Sequence, residues 1–324
     1  MKKSFKLFLA AAFLVTEFFV VALPLMITSA KADGHPIQAI THAGFGGGTD
    51  VTTRMMLLRT RRYLKQDMQL VNKKGGGGAA SMDYMMTLPA DGQHTLTWTT
   101  GHAVSMALGK TKVKLSDMQP LARGTDDPQL FVVNCKNDIK DAKKFISAQK
   151  SKSLKYGTTH VGGIDDVSAI AFTKKVKLTD PTIVPYKGVG PIKTNLIKGD
   201  IDVGVLNLGE AVTEIEDGTL CVSVVLASNR MEKLSNVPTA TELGIPVVLS
   251  TVRGFVTRKG LPGDRKKQLE DAMIKAMSHN YYKNFLTEIG LDDTSVVGAD
   301  EWGKQMEEML AEMTAQLKAL GYIN

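Results

Sequence analysis

From Ile37 to Ser228, short apolar runs alternate with helical stretches, and that rhythm leaves few folds open. The runs "IQAITHA", "MQLVNK", "HTLTWTT", "LFVVNC", "LKYGTTH", "TIVPYKG", "IDVGVLN" and "LCVSVVLAS" read as strands. Between them, Val51 to Lys65, Ala142 to Gln149 and Val167 to Lys175 read as helices. In the first of these Val51, Met55 and Leu58 form the apolar side. Strand–helix alternation predicts an α/β fold of mostly parallel sheets with helices on both faces. Ligands of such sheets bind beyond the C-terminal strand ends, where the glycine clusters fall.

Those loops share a chemistry. Ala43 to Met56, "AGFGGGTDVTTRMM", places Gly44, Gly46, Gly47 and Gly48 ahead of a helix start. Glycines let a ligand approach the main chain, and a helix N-terminus offers unpaired N–H donors and partial positive charge. Together they form an anion cradle. Asp50 reads as the cap of a helix beginning near Val51. Gly75 to Ser81, Tyr156 to Gly163 and Pro185 to Gly188 repeat the theme with small hydroxyls and backbone donors, a set suited to carboxylates. Ser81, Thr100, His102, Thr158, Thr159, His160 and Val161 stand on these loops or at strand ends.

Several chemistries are excluded. The first loop lacks G-K-[ST], so it is no nucleotide P-loop, and it misses the third glycine and the later acid of a dinucleotide fingerprint. There is no H-E-x-x-H and no G-x-S-x-G elbow, so no metal or cofactor is expected. His102 and His160 could serve as bases in a secreted hydrolase, but ligand-lining or solvated loop positions suit them better.

The N-terminus carries Lys2, Lys3 and Lys6, then an apolar run from Leu7 to Ile27, then Ala30-Lys31-Ala32. This predicts an export signal over residues 1–32, cleaved after Ala32 so that the mature exported chain begins at Asp33. The alternative is an uncleaved anchor, which Glu17 within the run disfavours. Removing the signal's four lysines and one glutamate from 40 basic and 33 acidic residues leaves a net charge of +4. Basic residues are dispersed, so nucleic acid is not expected as a partner. Cys135 and Cys221 are the only cysteines, and pairing or a buried free thiol are both open. In the C-terminal tail Trp302, Met306, Met309, Leu310, Met313, Leu317 and Leu320 form one helical stripe, read as a core face.

In order, Gly46 to Arg54, Val71 to Gly78, Pro89 to Gly92, Tyr156 to Thr159, Val184 to Gly188 and Val237 to Gly244 resemble the extracytoplasmic solute receptors of tripartite tricarboxylate transporters. The resemblance covers nearly all of the mature chain. It implies a two-lobed periplasmic-binding-protein fold with the ligand in the interlobe cleft. Residues 33–130 plus 251–324 would form one lobe and residues 131–250 the other, which puts both cysteines in one lobe. It implies no enzyme but a monomeric receptor that binds a small organic acid, a di- or tricarboxylate, and passes it to a two-component membrane permease. A receptor signalling to a membrane sensor is the alternative. Carried over, the ligand residues are Phe45, Gly47, Thr49, Asp50, Thr158, Thr159, Tyr186, Lys187 and Asn207.

The chain departs from that pattern at His160, at Asp165-Asp166, and at Arg253-Gly254-Phe255, where the family usually has an aromatic before the glycine. Arg253 could grip a second carboxylate bidentately. Alternatively it pairs with Asp165 or Asp166 and latches the closed lobes.

Overall fold

Two β-sheets organise the chain in the computed structural model, which describes residues 35–159 and 161–324. The expected export signal over residues 1–32 and His160 lie outside the described residues. In chain order the elements are β1 (Ile37–Thr41), α1 (Gly48–Leu64), β2 (Met68–Asn72), α2 (Ala79–Met86), β3 (His94–Thr99), α3 (Thr100–Ala107) and β4 (Met118–Pro128). There follow β5 (Leu130–Asn134), α4 (Ala142–Ser151), β6 (Lys155–Thr158), α5 (Ile164–Lys175), β7 (Thr182–Pro185), α6 (Val189–Lys198), β8 (Val203–Leu206), α7 (Leu208–Glu216) and β9 (Leu220–Val225). The chain ends with β10 (Ser250–Arg258), α8 (Gly263–Met277), α9 (Asn280–Glu288), β11 (Val297–Gly298) and α10 (Ala299–Ala319).

The first sheet has the order β11-β4-β10-β3-β1-β2 and the second β7-β6-β8-β5-β9. Parallel pairing holds between β1 and its neighbours β2 and β3, and between β6 and its neighbours β7 and β8. Antiparallel strands join these parallel cores: β10 pairs with both β3 and β4, and β5 with both β8 and β9. Only Gln129 separates β4, in the first sheet, from β5, in the second, and β10 brings the chain back.

The cores follow from the sequence pattern, with one exception. Phe131 and Tyr156 of the second sheet are buried together with Phe145 of α4 and Phe172 of α5, and the Phe131 and Phe172 ring centroids lie 4.9 Å apart and edge-on, the favoured aromatic geometry. The tail stripe is a core face: Trp302, Met306, Met309, Met313 and Leu317 are buried, and Trp302 meets Trp98 edge-on at 5.8 Å. Helix α1 differs from its expected face. Leu58 is 41% exposed, and the buried stripe is Thr49, Thr52, Thr53, Met56, Thr60 and Leu64. Threonine is tolerated there because its hydroxyl bonds back one turn, as from Thr53 to Thr49 O at 2.7 Å and from Thr60 to Met56 O at 2.8 Å.

Cys135 and Cys221 form a disulfide, which settles the pairing left open by the sequence. They sit where β5 and β9 lie side by side, with Val133 opposite Cys221. Among the described residues no helix is long and apolar enough to cross a membrane.

Candidate functional site

Three polar clusters lie at the C-terminal strand ends. The first is built around Arg253, near the start of β10. Its side chain is 2% exposed and each of its three guanidinium nitrogens donates within the cluster. Nη1 donates to Asp127 Oδ2 at 3.0 Å, Nη2 to Asn207 Oδ1 at 3.1 Å and Nε to Thr49 Oγ1 at 3.3 Å. Asn207 is the N-cap of α7, directly after β8 of the second sheet, and its amide also donates to the carbonyls of Asp127 and Pro128, at 2.9 and 3.0 Å. Thus β4, β10, α1 and α7 converge on one side chain. Gly48 is required for the approach: a Cβ there would lie 2.5 Å from Arg253 Nη2 and 3.4 Å from Glu210 Oε1.

This geometry corrects the expectation for Arg253. Its ion pair is with Asp127, not with Asp165 or Asp166. A bidentate grip on a further carboxylate would require donors that Asp127, Asn207 and Thr49 already take. Burial pushes the Asp127 carboxyl up to about 7 even though Arg253 pulls it down, with Glu210 adding to the rise. Glu210 is also raised, chiefly by desolvation against the pull of Arg253.

The second cluster gathers around Asp165, which heads α5. Its Oδ2 accepts from the backbone N–H of Thr159 at 2.9 Å and from Thr159 Oγ1 at 2.6 Å. Gln129 links it to the first cluster, donating from Nε2 to Thr251 Oγ1 at 2.7 Å and to Asp165 Oδ1 at 3.4 Å. Thr158 is fully buried, and its carbonyl accepts from the backbone N–H of Tyr186 at 2.7 Å. The Tyr186 ring packs beside the second-sheet core.

The third cluster is His102 with Ser81. His102 Nδ1 accepts from the backbone N–H of Thr99 at 3.0 Å, so its proton sits on Nε2 and points at Ser81 Oγ, 3.0 Å away. Ser81 in turn donates to Gly78 O at 2.7 Å. A general base would need the opposite tautomer at Nε2. Burial, with His42 beside it, holds the His102 pKa well below the ordinary imidazole value, so the ring stays neutral. His102 therefore braces a loop: a Cβ on Gly78 would lie 2.8 Å from the ring. Thr100 is bound as well, its hydroxyl donating to Ser250 O and accepting from the backbone N–H of Val252.

Asp50 does not cap α1. The helix begins at Gly48 with Gly47 as N-cap, which puts Asp50 inside the first turn. There it accepts from the backbone N–H of Gly46 at 3.0 Å and pairs with Arg54 at 2.9 Å. Phe45 is 79% exposed, with Arg54 at 5.7 Å from its ring centroid, and Val161 and Lys187 are also exposed.

Sequence reading missed Asp127, Gln129 and Glu210. Glu210 carried a signal: Asn207-x-x-Glu210 is a capping box, in which Glu210 accepts from the backbone N–H of Asn207 at 3.0 Å. Four carboxylates thus already sit on loop N–H groups: Asp50 on Gly46, Asp165 on Thr159, Asp166 on Gly162 and Glu210 on Asn207.

Residues 52–321 match the model of the tripartite tricarboxylate transporter family receptor. The chain belongs to this receptor family. A relative from Agrobacterium vitis, the UPF0065 protein in the TAR-I ttuE-ttuC' intergenic region, is 25% identical over 247 residues, which cover 75% of this chain and 71% of that protein. Two solved structures share the fold. MatC from Rhodopseudomonas palustris with bound malate is 23% identical, with TM-score 0.78, covering 87% of this chain and 98% of that one. A second R. palustris protein, with adipate, is 22% identical, with TM-score 0.80, covering 88% and 97%. The expected two-lobed architecture of helix-flanked sheets is therefore the observed one, and the family is one of receptors rather than of enzymes.

Proposed function

We propose that the exported chain is a periplasmic receptor that captures a small organic carboxylate between its lobes and hands it to a two-component membrane permease. The lobes would be residues 33–130 plus 251–324 and residues 131–250, preceded by a signal cleaved after Ala32. The observation that carries this reading is the joining of loops from both sheets at Arg253, where Thr49, Asp127 and Asn207 meet one guanidinium. A ligand held where two lobes meet favours their closed arrangement and is enclosed by it. The ligand-bound relatives, one with malate and one with adipate, support a carboxylate as the cargo.

The helix N-termini supply the attraction. Gly188 precedes α6 with no side-chain cap, which leaves the backbone N–H groups of that helix start to an anion. A thermal-shift screen of mono-, di- and tricarboxylic acids tests the proposal. A bound acid at about 100 times its dissociation constant raises stability by about 2.7 kcal/mol. At least one acid should raise the melting temperature in a saturable way, and a flat response across the acids would overturn the reading.

A further inference from the structure

We propose that the solute of this receptor carries a protonated amine in addition to its carboxylate, and that the amine seats against Asp127 Oδ1 and Gln129 Oε1. The inference rests on the receptor reading and narrows its ligand class.

Charge is the first observation. Around Arg253 the structure joins Asp127, Glu210 and Asp165 through the contacts described above, three carboxylates to one guanidinium. Asp50 adds nothing to this imbalance because Arg54 neutralises it. Enclosed negative charge without a partner is unfavourable, so burial raises Asp127 and Glu210 toward their protonated forms, and each further carboxylate brought to the same place adds to that cost. A cation relieves it.

The unpaired atoms are the second observation, independent of the first. Asp127 is 3% exposed and Gln129 1% exposed, yet Asp127 Oδ1 and Gln129 Oε1 have no hydrogen-bond partner. Both atoms are acceptors. Each belongs to a group whose other polar atom is bonded inside the cluster, Asp127 Oδ2 to Arg253 and Gln129 Nε2 to Thr251. The two residues are two apart along an extended stretch, so their side chains leave the same face. What complements two buried acceptors where three carboxyl groups share one guanidinium is a group rich in donors and positively charged. An ammonium, with three N–H donors and no acceptor, has that chemistry.

The test is calorimetric titration of the mature protein with matched pairs that differ only in an α-amine: acetate and glycine, propionate and alanine, succinate and aspartate, glutarate and glutamate. In the pair whose skeleton fits, the aminated member should bind at least tenfold more tightly. Asp127→Asn keeps the side-chain shape and removes the charge, and it should reduce that preference to near unity. Should Asp127→Asn fail to fold, Gln129→Met removes one acceptor and should weaken the aminated member several-fold while leaving its partner unchanged. Equal or tighter binding of the amine-free member would overturn the inference while leaving the receptor reading standing. Equal losses for both members in the variants would overturn it too. So would silence in every pair, and the acid screen would then show whether the receptor reading falls with it.

Discussion

Asp127 sits at the balance point of the residue-scale argument. Its carboxyl is buried, paired on one oxygen with Arg253, and pushed up to about 7 by desolvation. An unfolded aspartate titrates near pH 4. Between those values the native state keeps a proton that the unfolded state has released, so Asp127 contributes stability below about pH 4 that is lost as pH rises toward 7. Asp127→Asn cannot titrate. Wild type should therefore lose stability relative to the variant as pH rises across that window, read as the difference in urea midpoints at about pH 4.5, 6 and 7.5. A difference that stays constant with pH would contradict the assigned burial. Much of this residue's setting was illegible in the sequence. "GTDDPQL" shows two acids beside a proline, and nothing local says that one of them meets an arginine 126 residues later. Glu210 was legible in principle, because its capping box is a short-range pattern.

At the scale of elements, the glycines divide into those that turn the chain and those that admit a neighbour. Gly254 is of the second kind. It lies in β10 opposite Arg123 of β4 and Trp98 of β3, and a Cβ there would overlap the Trp302 indole of α10. Interiors are close-packed, and overfilling costs about 1–3 kcal/mol. Gly254→Ala should lower the urea midpoint by a matching amount, and an unchanged midpoint would show that α10 yields without cost. The strands with apolar cores, such as "LFVVN" and "VGVL", were readable because they are buried along their length. Strand β4 was not. Its eleven residues include Arg123, Asp126 and Asp127, which meet tertiary partners that composition does not reveal. Helix α1 misled for a related reason: threonine hydroxyls satisfied by the preceding turn fill its buried face, so hydrophobic periodicity pointed to the wrong side.

For the whole molecule, the recurring unit is a strand, a glycine or hydroxyl loop, and a helix N-terminus, placed in both sheets. The sequence order of these loops carried the family, and the two-sheet fold followed from it. The ligand's chemistry did not follow, because the loop donors are partly occupied by the protein's own acids, Asp50, Asp165, Asp166 and Glu210. An anion cradle recognised from glycines alone says nothing of those internal carboxylates. Their presence makes ligand class a matter of charge balance between the lobes.

The central claim is that the mature protein binds one small carboxylate reversibly and releases it unaltered. Isothermal titration of the protein with the acid or amino acid that stabilises it most, followed by NMR of the solute recovered after denaturation, tests this directly. The account predicts a stoichiometry of about one per chain and a recovered spectrum identical to that of the starting compound. Conversion of the solute on incubation, or the absence of saturable binding by any carboxylate-bearing compound, would contradict it.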